Sequence, residues 1–208
     1  MRVKKLHTDW PEPSPQADDF RGRIAENDQG LWDKFKEGDE AAFITIYKEH
    51  FSSLYRYASQ FSSDKSFIQD CIQDLFVEIR EKRGRLSSTT SIKAYLFKSM
   101  KNLVLYRIKR YKKLFEPYRA SNHGFRCSLS AEDLHIQWHQ EKETSQKLNR
   151  CIEQLSERQK EAIYYYYFEN FTYSQVKDIM GMYHVRSARN LIYRALIALR
   201  KQLQTEKK

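Results

Sequence analysis

The sequence predicts an all-α protein of two small helical domains joined by a flexible linker, and three observations support this class. Apolar residues recur three and four positions apart in several long segments, which is the period of one helical face. The periodicity is lost over residues 114–145, which we interpret as the linker. Near the C-terminus, a short helical pattern, a glycine and a longer amphipathic pattern follow in the order of a helix-turn-helix. A chain of 208 residues is long enough for two buried cores.

The charge of the chain favours nucleic acid as a partner. Lys and Arg total 37 against 27 for Asp and Glu, which gives a net charge of +10 and a pI near 9.4. A generically basic protein would have the same totals, but here the charge is clustered. No acid lies between Asp178 and Glu206, and none lies between Lys82 and Phe115. Such segments are suited to phosphate backbones.

The cysteines and the hydropathy exclude other classes. Cys71, Cys127 and Cys151 lie far apart without a C-x-x-C pair, which argues against a disulfide framework and a zinc ribbon. The longest apolar run, Ala162–Phe168, is too short to cross a bilayer, and no apolar segment follows the first basic residues. We therefore expect a cytoplasmic protein without membrane insertion.

Residues 1–28 are predicted to be a flexible N-terminal extension. Pro11, Pro13 and Pro15 lie there among acidic residues, and apolar periodicity is weak. A pro-segment or a partner-binding arm are the alternatives, and no binding motif in the segment distinguishes them.

Residues 29–113 are predicted to form the first domain, with helices that begin at recognisable caps. Asp39 is suited to cap a long amphipathic helix. Asp64 or Ser66 caps the next helix, which Gly84 ends, and Ser91 caps a third helix. The third helix is expected to bury Ile92, Tyr95, Leu96, Leu103, Val104, Ile108 and Tyr111.

The second of these helices has an acidic and amide-bearing outward face next to an exposed Phe76 or Val77. A face of this kind is usually just solvated, although a docking surface for a basic partner would have the same composition. The face comprises Asp70, Gln73, Asp74, Glu78 and Glu81.

The acid-free segment from Lys82 to Phe115 is more specific. Like charges at helical spacing repel each other, so a stripe of one sign is best explained by phosphates that supply the counter-charge. Aromatic residues are interleaved with the stripe and either stack on unpaired bases or pack in the core. They are Tyr95, Phe97, Tyr106 and Tyr111.

The linker, residues 114–145, contains scattered serines and a short helical pattern around Ala131 to Gln140. His135 and His139 are four residues apart, so a helix would place both imidazoles on one face, downstream of Cys127. Because the other ligands of a metal site are missing from the pattern, we predict no metal and no other cofactor.

Residues 146–204 are predicted to form the second domain. Ser156 and Gln159 form a capping-box pattern, Thr172 caps a short helix, and Gly181 precedes the long helix Val185–Leu203. Tyr164 to Tyr167 point all round their helix, so core and interface packing is their expected use. The long helix has the chemistry of a recognition helix in the major groove, where arginine pairs with guanine and asparagine with adenine. Its candidate base-reading residues are His184, Arg186, Ser187, Arg189 and Asn190.

Two segments resemble the alternative sigma factors of bacterial RNA polymerase, in the compact group called extracytoplasmic function (ECF) sigma factors of the sigma-70 family. "QDCIQDLFVEIREKR" is similar to the helix that docks on core polymerase, and "SIKAYLFKSMKNLVLYRIKR" to the helix that melts the promoter and reads the minus-ten element. "LSERQKEAIYYYYFENFTYSQVKDIMG" followed by "VRSARNLIYRALIALRKQL" resembles the domain that reads the minus-thirty-five element. The resemblance covers about two-thirds of the chain, and the order of the two segments makes it specific.

The resemblance implies roles for individual residues. The implied polymerase-binding residues are Asp70, Gln73, Asp74, Phe76 and Glu78. The implied minus-ten residues are Ser88, Thr89, Ser91, Lys93, Lys98, Lys101, Asn102, Arg107 and Arg110. The implied minus-thirty-five residues are His184, Arg186, Ser187, Arg189, Asn190 and Arg194. The turn between Gly181 and Val185 is one residue longer than the family pattern, so the first residue of the recognition helix has two candidate positions, one residue apart.

The resemblance thus implies a non-enzymatic sigma factor whose partners are core RNA polymerase and promoter DNA, with an anti-sigma factor as a further implied partner. The alternative is a helix-turn-helix regulator that binds an operator without polymerase. An enzyme is disfavoured because the sequence has no glycine-rich phosphate loop, no carboxylate cluster with metal spacing and no nucleophile elbow.

Overall fold

The computed structural model describes residues 28–115, 125–127 and 142–205, and these residues form helices and connecting loops without a β-strand. The predicted all-α class is confirmed. The proposed N-terminal extension up to residue 27, the short helix around Ala131 and the histidine pair His135 and His139 lie outside the described residues.

Four helices form the first domain. They are α1 over residues 28–37, α2 Glu40–Ala58, α3 Lys65–Lys82 and α4 Ile92–Phe115. A 3-10 turn, Arg83–Arg85, follows α3, so the helix ends two residues before Gly84. The predicted extension is one residue too long, because Asp28 already belongs to α1. Its carboxylate accepts the Ile92 N–H at 2.9 Å and so caps α4.

The predicted N-terminal caps of α2 and α3 are confirmed, and the structure decides between the two candidates for α3. Asp39 accepts the N–H groups of Ala41 and Ala42 at 2.8 and 3.2 Å. Asp64, rather than Ser66, caps α3, because its carboxylate accepts the Ser66 and Phe67 N–H groups. Each cap satisfies backbone donors that have no partner within the helix.

In the first domain, the helical spacing of apolar residues agrees with the observed burial throughout α3 but only in part of α4. The apolar residues of α3, which recur at helical spacing from Ile68 to Ile79, are buried. On α4, Ile92, Leu96 and Val104 are buried as expected, and Phe97 and Met100 are buried with them. Tyr111 was predicted to be buried, but it is 55% exposed. The last turns of α4 extend past the helices against which its first half packs.

Trp32 of α1 is a buried anchor that the sequence pattern did not indicate. Its indole N–H donates to the Ser87 carbonyl at 2.9 Å, and its ring packs on Phe35 and Tyr95. Because this bond joins α1 to the loop before α4, it fixes the position of the serine- and threonine-rich segment.

Four helices and one wide turn form the second domain. They are α5 Lys142–Glu153, α6 Glu157–Ile163, a π-helical turn Tyr164–Phe168, α7 Tyr173–Ile179 and α8 Val185–Thr205. The predicted linker, residues 114–145, is therefore too long at both ends, since α4 extends to Phe115 and α5 begins at Lys142. Both predicted caps are present as capping boxes, at Ser156 and Thr172, and Gly181 turns the chain with φ +63°.

The two domains pack directly against each other. Phe97 of α4 contacts Tyr165 and Phe171 of the second domain, and Tyr57 of α2 contacts Tyr165. Phe125, from the segment between the domains, packs on both Tyr57 and Tyr164. The sequence shows that these side chains are aromatic, but the periodicity of each helix does not show that they meet across a domain boundary.

His50 gives a testable consequence for stability. Burial, together with the nearby Lys93 ammonium, lowers the pKa of His50 to about 4. Its buried Nε2 has no hydrogen-bond partner, so a protonated ring would place an unpaired donor inside the protein. The unfolded chain therefore binds this proton first as the pH falls.

We expect the free energy of unfolding to fall as the pH drops from about 6.5 toward about 4 through this group. His50→Gln has no group that titrates in this range. The wild type should therefore lose stability relative to the variant as the pH falls, and the difference in their free energies of unfolding should narrow. Denaturant unfolding at pH 7 and pH 5 measures it, and a constant difference at the two pH values would contradict the assignment.

Candidate polymerase and nucleic-acid interfaces

The outward face of α3 is acidic and exposed. Asp70, Gln73, Asp74 and Glu78 all lie on the surface. Phe76, which the resemblance assigned to the same surface, is only 3% exposed. It packs on Phe43 and Tyr47 of α2 and supports the face from beneath. The apolar side chain that is exposed on this face is Val77.

Two of the acids on α3 already have cationic partners. Asp74 forms an ion pair with Arg107 of α4, and Glu78 forms one with Lys82 a turn later. Arg107 also contacts the thiol of Cys71 at 3.7 Å. Asp74 and Arg107, predicted to serve different partners, therefore brace α3 against α4.

An exposed apolar area adjoins the acidic face and was missed from the sequence. Ile44 and Tyr47 of α2 are exposed, although both recur at helical spacing with the apolar residues of this amphipathic helix. Tyr47 packs edge-on against Phe76 with ring centroids 4.8 Å apart. Helical spacing alone does not distinguish these residues from core residues, because contacts with distant segments decide which side of α2 is covered.

The basic helix α4 presents part of its stripe to solvent. Lys98, Asn102 and Arg110 are exposed, and Tyr106 and Tyr111 lie exposed among them. Aromatic rings between basic side chains can stack on bases while the cations bind phosphates. Phe97, in contrast, is buried, so it belongs to the core rather than to this surface.

The loop before α4 borders a cavity of about 260 Å³ between α3 and α4. Its polar and aromatic lining includes Tyr95, Ser99, Asn102 and Tyr106. In the loop, Ser88 is exposed. Thr89 Oγ1 accepts the Ser91 N–H at 3.2 Å, and Ser91 Oγ accepts the Ala94 N–H at 3.2 Å. The hydroxyls of Thr89 and Ser91 therefore order the loop at the edge of the cavity.

Two predicted minus-ten lysines pair with acids of the second domain, although Lys93 keeps 31% of its side chain exposed and Lys101 keeps 15%. The Lys93 ammonium lies 2.7 Å from Oε2 of Glu169 and donates to the Glu169 carbonyl at 3.0 Å. The Lys101 ammonium lies 2.6 Å from Oε1 of Glu161. Arg56 of α2 also pairs with Glu169, at 3.0 Å. The basic stripe is thus divided between an exposed part and a part that is neutralised within the chain.

Both acids are further held by phenols. Tyr165 donates to Glu161 at 2.8 Å, and Tyr164 donates to Glu169 at 3.0 Å. The Tyr57 and Tyr165 hydroxyl oxygens are 2.5 Å apart, and since the Tyr165 proton goes to Glu161, Tyr57 is the donor between them. Burial raises the pKa of Tyr57 and Tyr165, so both phenols keep the protons that these bonds require.

The recognition helix is exposed on the predicted side. Its buried face contains Ala188, Ile192, Ala195 and Leu199, which confirms the periodicity. Helix α8 begins at Val185 and the Ser187 N–H donates to the His184 carbonyl, which fixes the start of the helix. The side chains assigned to the minus-thirty-five element by the resemblance are all exposed: His184, Arg186, Ser187, Arg189, Asn190 and Arg194.

Tyr173 is a further residue that sequence reasoning missed at this surface. The Arg189 guanidinium lies over the Tyr173 ring, 5.2 Å from its centroid. Tyr173 in turn stacks on Tyr166 with centroids 4.5 Å apart. The ring therefore restricts the rotamers of Arg189 before any ligand binds.

Family comparisons agree with this arrangement. A model described as Sigma-70 region 2 matches residues 46–114, and one described as Sigma-70, region 4 matches residues 145–199. Together the two matches cover more than half of the chain. The chain belongs to the sigma-70 family of sigma factors. It is an alternative sigma factor, and transcription initiation is its functional class.

Solved structures share the fold. CnrH, in complex with the cytosolic domain of CnrY, is 18% identical with a TM-score of 0.57, covering 86% of this chain and 97% of CnrH. The sigma factor RpoE of Bartonella quintana, in complex with the anti-sigma factor NepR, is 19% identical with a TM-score of 0.54, covering 78% and 96%. Among curated protein sequences, none matches this sigma factor.

The described residues contain neither a membrane-spanning helix nor a cluster of metal ligands. None of the described helices is both long and apolar enough to span a membrane. Across residues 28–115, 125–127 and 142–205, no group of three or more His, Cys, Asp or Glu side chains is placed to hold a metal ion.

Proposed function

We propose that this sigma factor binds core RNA polymerase through α3, contacts the minus-ten element with α4 and the loop before it, and reads the minus-thirty-five element with α8. Residues 29–113 would act as the region 2 domain and residues 146–204 as the region 4 domain. The observation that carries the proposal is that three exposed surfaces of suitable chemistry lie on three different helices. The protein would act in the cytoplasm without a cofactor or a catalytic site, since polymerase performs the chemistry.

The polymerase surface combines Asp70 and Gln73 with the apolar side chains of Val77 and Tyr47. Interfaces of this composition bury an apolar centre, while charged groups around it select a partner of opposite charge. Asp74 contributes less directly, because its carboxylate is already paired with Arg107.

The minus-ten surface combines exposed cations on α4 with a lined cavity. Lys98 and Arg110 are placed to bind the phosphates of a separated strand, and Tyr106 offers a ring for stacking. Asn102 lies on the surface and also lines the cavity, so it is suited to contact a base that enters it. Taking a base out of the stack costs a few kcal/mol, which such contacts must offset.

A regulatory protein partner is also proposed. CnrH and RpoE were both solved with a bound protein, which for RpoE is an anti-sigma factor. We extend this to the present chain because Ile44, Tyr47 and Val77 leave apolar surface exposed beside the acidic face. An anti-sigma factor that covers this surface would compete directly with polymerase.

In vitro transcription with purified core polymerase and a promoter library tests the proposal. The sigma factor should co-purify with core and direct initiation from a subset of promoters. Absence of both would reject the proposal, and tight duplex binding without polymerase would favour the alternative of an operator-binding regulator.

Asp70→Lys should weaken binding to core by about tenfold or more, because a reversed charge at an interface meets repulsion where it had attraction. Glu49→Lys, the same change at an exposed acid of α2, is the matched control. Titration of each variant against labelled core measures the effect, with circular dichroism to verify folding. Equal affinities would remove α3 from the interface. Asp74 is less informative, since reversal there would also repel Arg107.

Arg186→Ala or Arg189→Ala should reduce discrimination at one upstream base position by about 1–3 kcal/mol, the value of a bidentate base contact. Selection from a library randomised in the upstream element, with core present, measures this quantity. An equal loss on all sequences would instead identify the affected arginine as a phosphate contact.

Tyr173 provides an internal control for Arg189. Tyr173→Leu removes the ring under the guanidinium and should reduce discrimination at the same position as Arg189→Ala, by a smaller factor. Tyr173→Phe keeps the ring and should retain the preference. Loss of discrimination in both variants would show that the hydroxyl, not the ring, matters.

A further inference from the structure

A second group of cations lies in the first domain, away from the exposed face of α4. It lines an open cleft of about 520 Å³ between the C-terminal ends of α1 and α3. The polymerase and DNA surfaces described above do not include these cations. The residues that line the cleft are Lys36, Arg80, Glu81, Arg83 and Gly84.

The two arginines of the cleft are held in place by α2. The Glu40 carboxylate accepts a hydrogen bond from Arg80 at 2.9 Å and lies 3.6 Å from Arg83. The Arg80 guanidinium also lies over the Phe43 ring, 5.4 Å from its centroid. Each guanidinium has five N–H donors, so one shared carboxylate leaves most of these donors available to a second anion.

The turn after α1 passes next to Arg83. Gly38 in this turn has a φ of +101°, a conformation that residues with a side chain rarely adopt. A Cβ atom at this position would lie 3.5 Å from Nη2 of Arg83. The close approach of the turn therefore brings the guanidinium into the same cleft as Lys36.

The cleft has an excess of positive charge. Three of its lining side chains are cations, and one, Glu81, is an acid. Glu40 is shared by two of the cations, and Lys36 is not among its partners. Arg85, at the end of the following turn, is exposed and adds to the same field. An anion is therefore the ligand that this cleft attracts.

The composition of the cleft favours nucleic acid over an acidic segment of a protein. The centre of a protein–protein interface is usually apolar, and none of the five lining residues has an apolar side chain. Phosphate contacts are made by Arg and Lys side chains and need no apolar centre. The cleft is also open to solvent, so a continuous strand can cross it.

The cleft adjoins the cavity between α3 and α4, which we propose admits a minus-ten base. Lys82 and Leu86 line that cavity, whereas Arg83 and Gly84 line the cleft. The turn Arg83–Arg85 therefore separates the two. A strand whose base enters the cavity can place a neighbouring phosphate group in the cleft.

We propose that the cleft between α1 and α3 binds the phosphate backbone of the separated minus-ten strand, next to the base that enters the cavity. Lys36, Arg80 and Arg83 are the phosphate-binding residues. This inference rests on the proposed assignment of the strand to α4 and the cavity, and it extends the strand-binding surface across the turn to α1. Because the contacts are to phosphates, they position the strand without reading its sequence.

The test uses the sigma factor bound to core polymerase and a labelled promoter fragment that is mismatched over the minus-ten element, so that binding is measured without melting. Lys36→Gln/Arg83→Gln removes two cations of the cleft. Lys34→Gln/Lys65→Gln removes two exposed cations of the same domain outside the cleft and is the matched control. Circular dichroism verifies folding, and titration against labelled core verifies that each variant forms the complex.

The cleft variant should bind the opened promoter about tenfold more weakly, or weaker still, since a hydrogen bond to a charged group contributes about this factor. The slope of log affinity against log salt concentration should fall by about 1.4, which is about 0.7 for each lost phosphate contact on a single strand. The control should change both quantities much less. Equal losses in the two variants would reflect net charge alone and would overturn the proposal.

Neutral methylphosphonate linkages, placed one at a time along the unpaired strand, locate the contact. In the wild-type complex, the linkages next to the base that enters the cavity should weaken binding. The same linkages should have little further effect in the cleft variant, because the interaction that they remove is already absent. Additive losses at every linkage would show that the cleft cations do not contact the strand.

Lys36→Gln alone covers the case in which the double variant does not fold, because it leaves both ion pairs of Glu40 intact. It should lower the salt slope by about half as much, and an unchanged slope would count against the proposal. Loss of core affinity without loss of strand affinity would assign the cleft to a protein partner and would equally overturn it. Failure of the wild-type protein to bind core would instead reject the proposed function, so the two failures are distinguishable.

Discussion

The arrangement of the two domains depends on the two carboxylates of Glu161 and Glu169. An unpaired buried charge is strongly unfavourable, and removal of one partner from a buried ion pair typically costs about 3–5 kcal/mol. Neither acid can therefore be buried at the domain boundary unless the first domain supplies cations. Arg56, Lys93 and Lys101 supply them from two different helices, so the carboxylates join the second domain to both α2 and α4.

The local backbone of the second domain serves the same contact. The π-helical turn Tyr164–Phe168 widens the helix by a residue, and the Glu169 N–H closes it on the Tyr164 carbonyl at 3.1 Å. This turn sets Tyr164 and Tyr165 toward the first domain and brings Glu169 beneath Tyr164. π-Helical turns are rare and are frequently found at functional sites, and this one lies at the contact between the two domains.

Two uses of the basic residues on α4 follow from their positions along the helix. Lys93, Phe97 and Lys101 recur at four-residue spacing and meet the second domain, whereas Lys98 and Asn102 lie on another side and meet solvent. One helix can therefore pack within the protein and still expose the side chains that we propose bind nucleic acid. The acid-free composition of α4 suits both uses, because carboxylates and phosphates require the same donors.

The sequence by itself determined the helices, most of their caps and the apolar faces of α3 and α8, because these depend on residues three or four positions apart. It also determined the acidic and basic faces and the helix-turn-helix. Only the tertiary structure decided that Phe76 is buried, that Tyr111 is exposed, that Trp32 holds the loop before α4 and that Lys93 and Lys101 are paired. Those outcomes depend on contacts between distant segments, such as Lys93 with Glu169, and no local period encodes which segments meet. Glu161 and Glu169 flank the tyrosine block. Acids beside an aromatic run that is buried need cationic partners, and this was the sequence signal that the block meets cations from elsewhere in the chain.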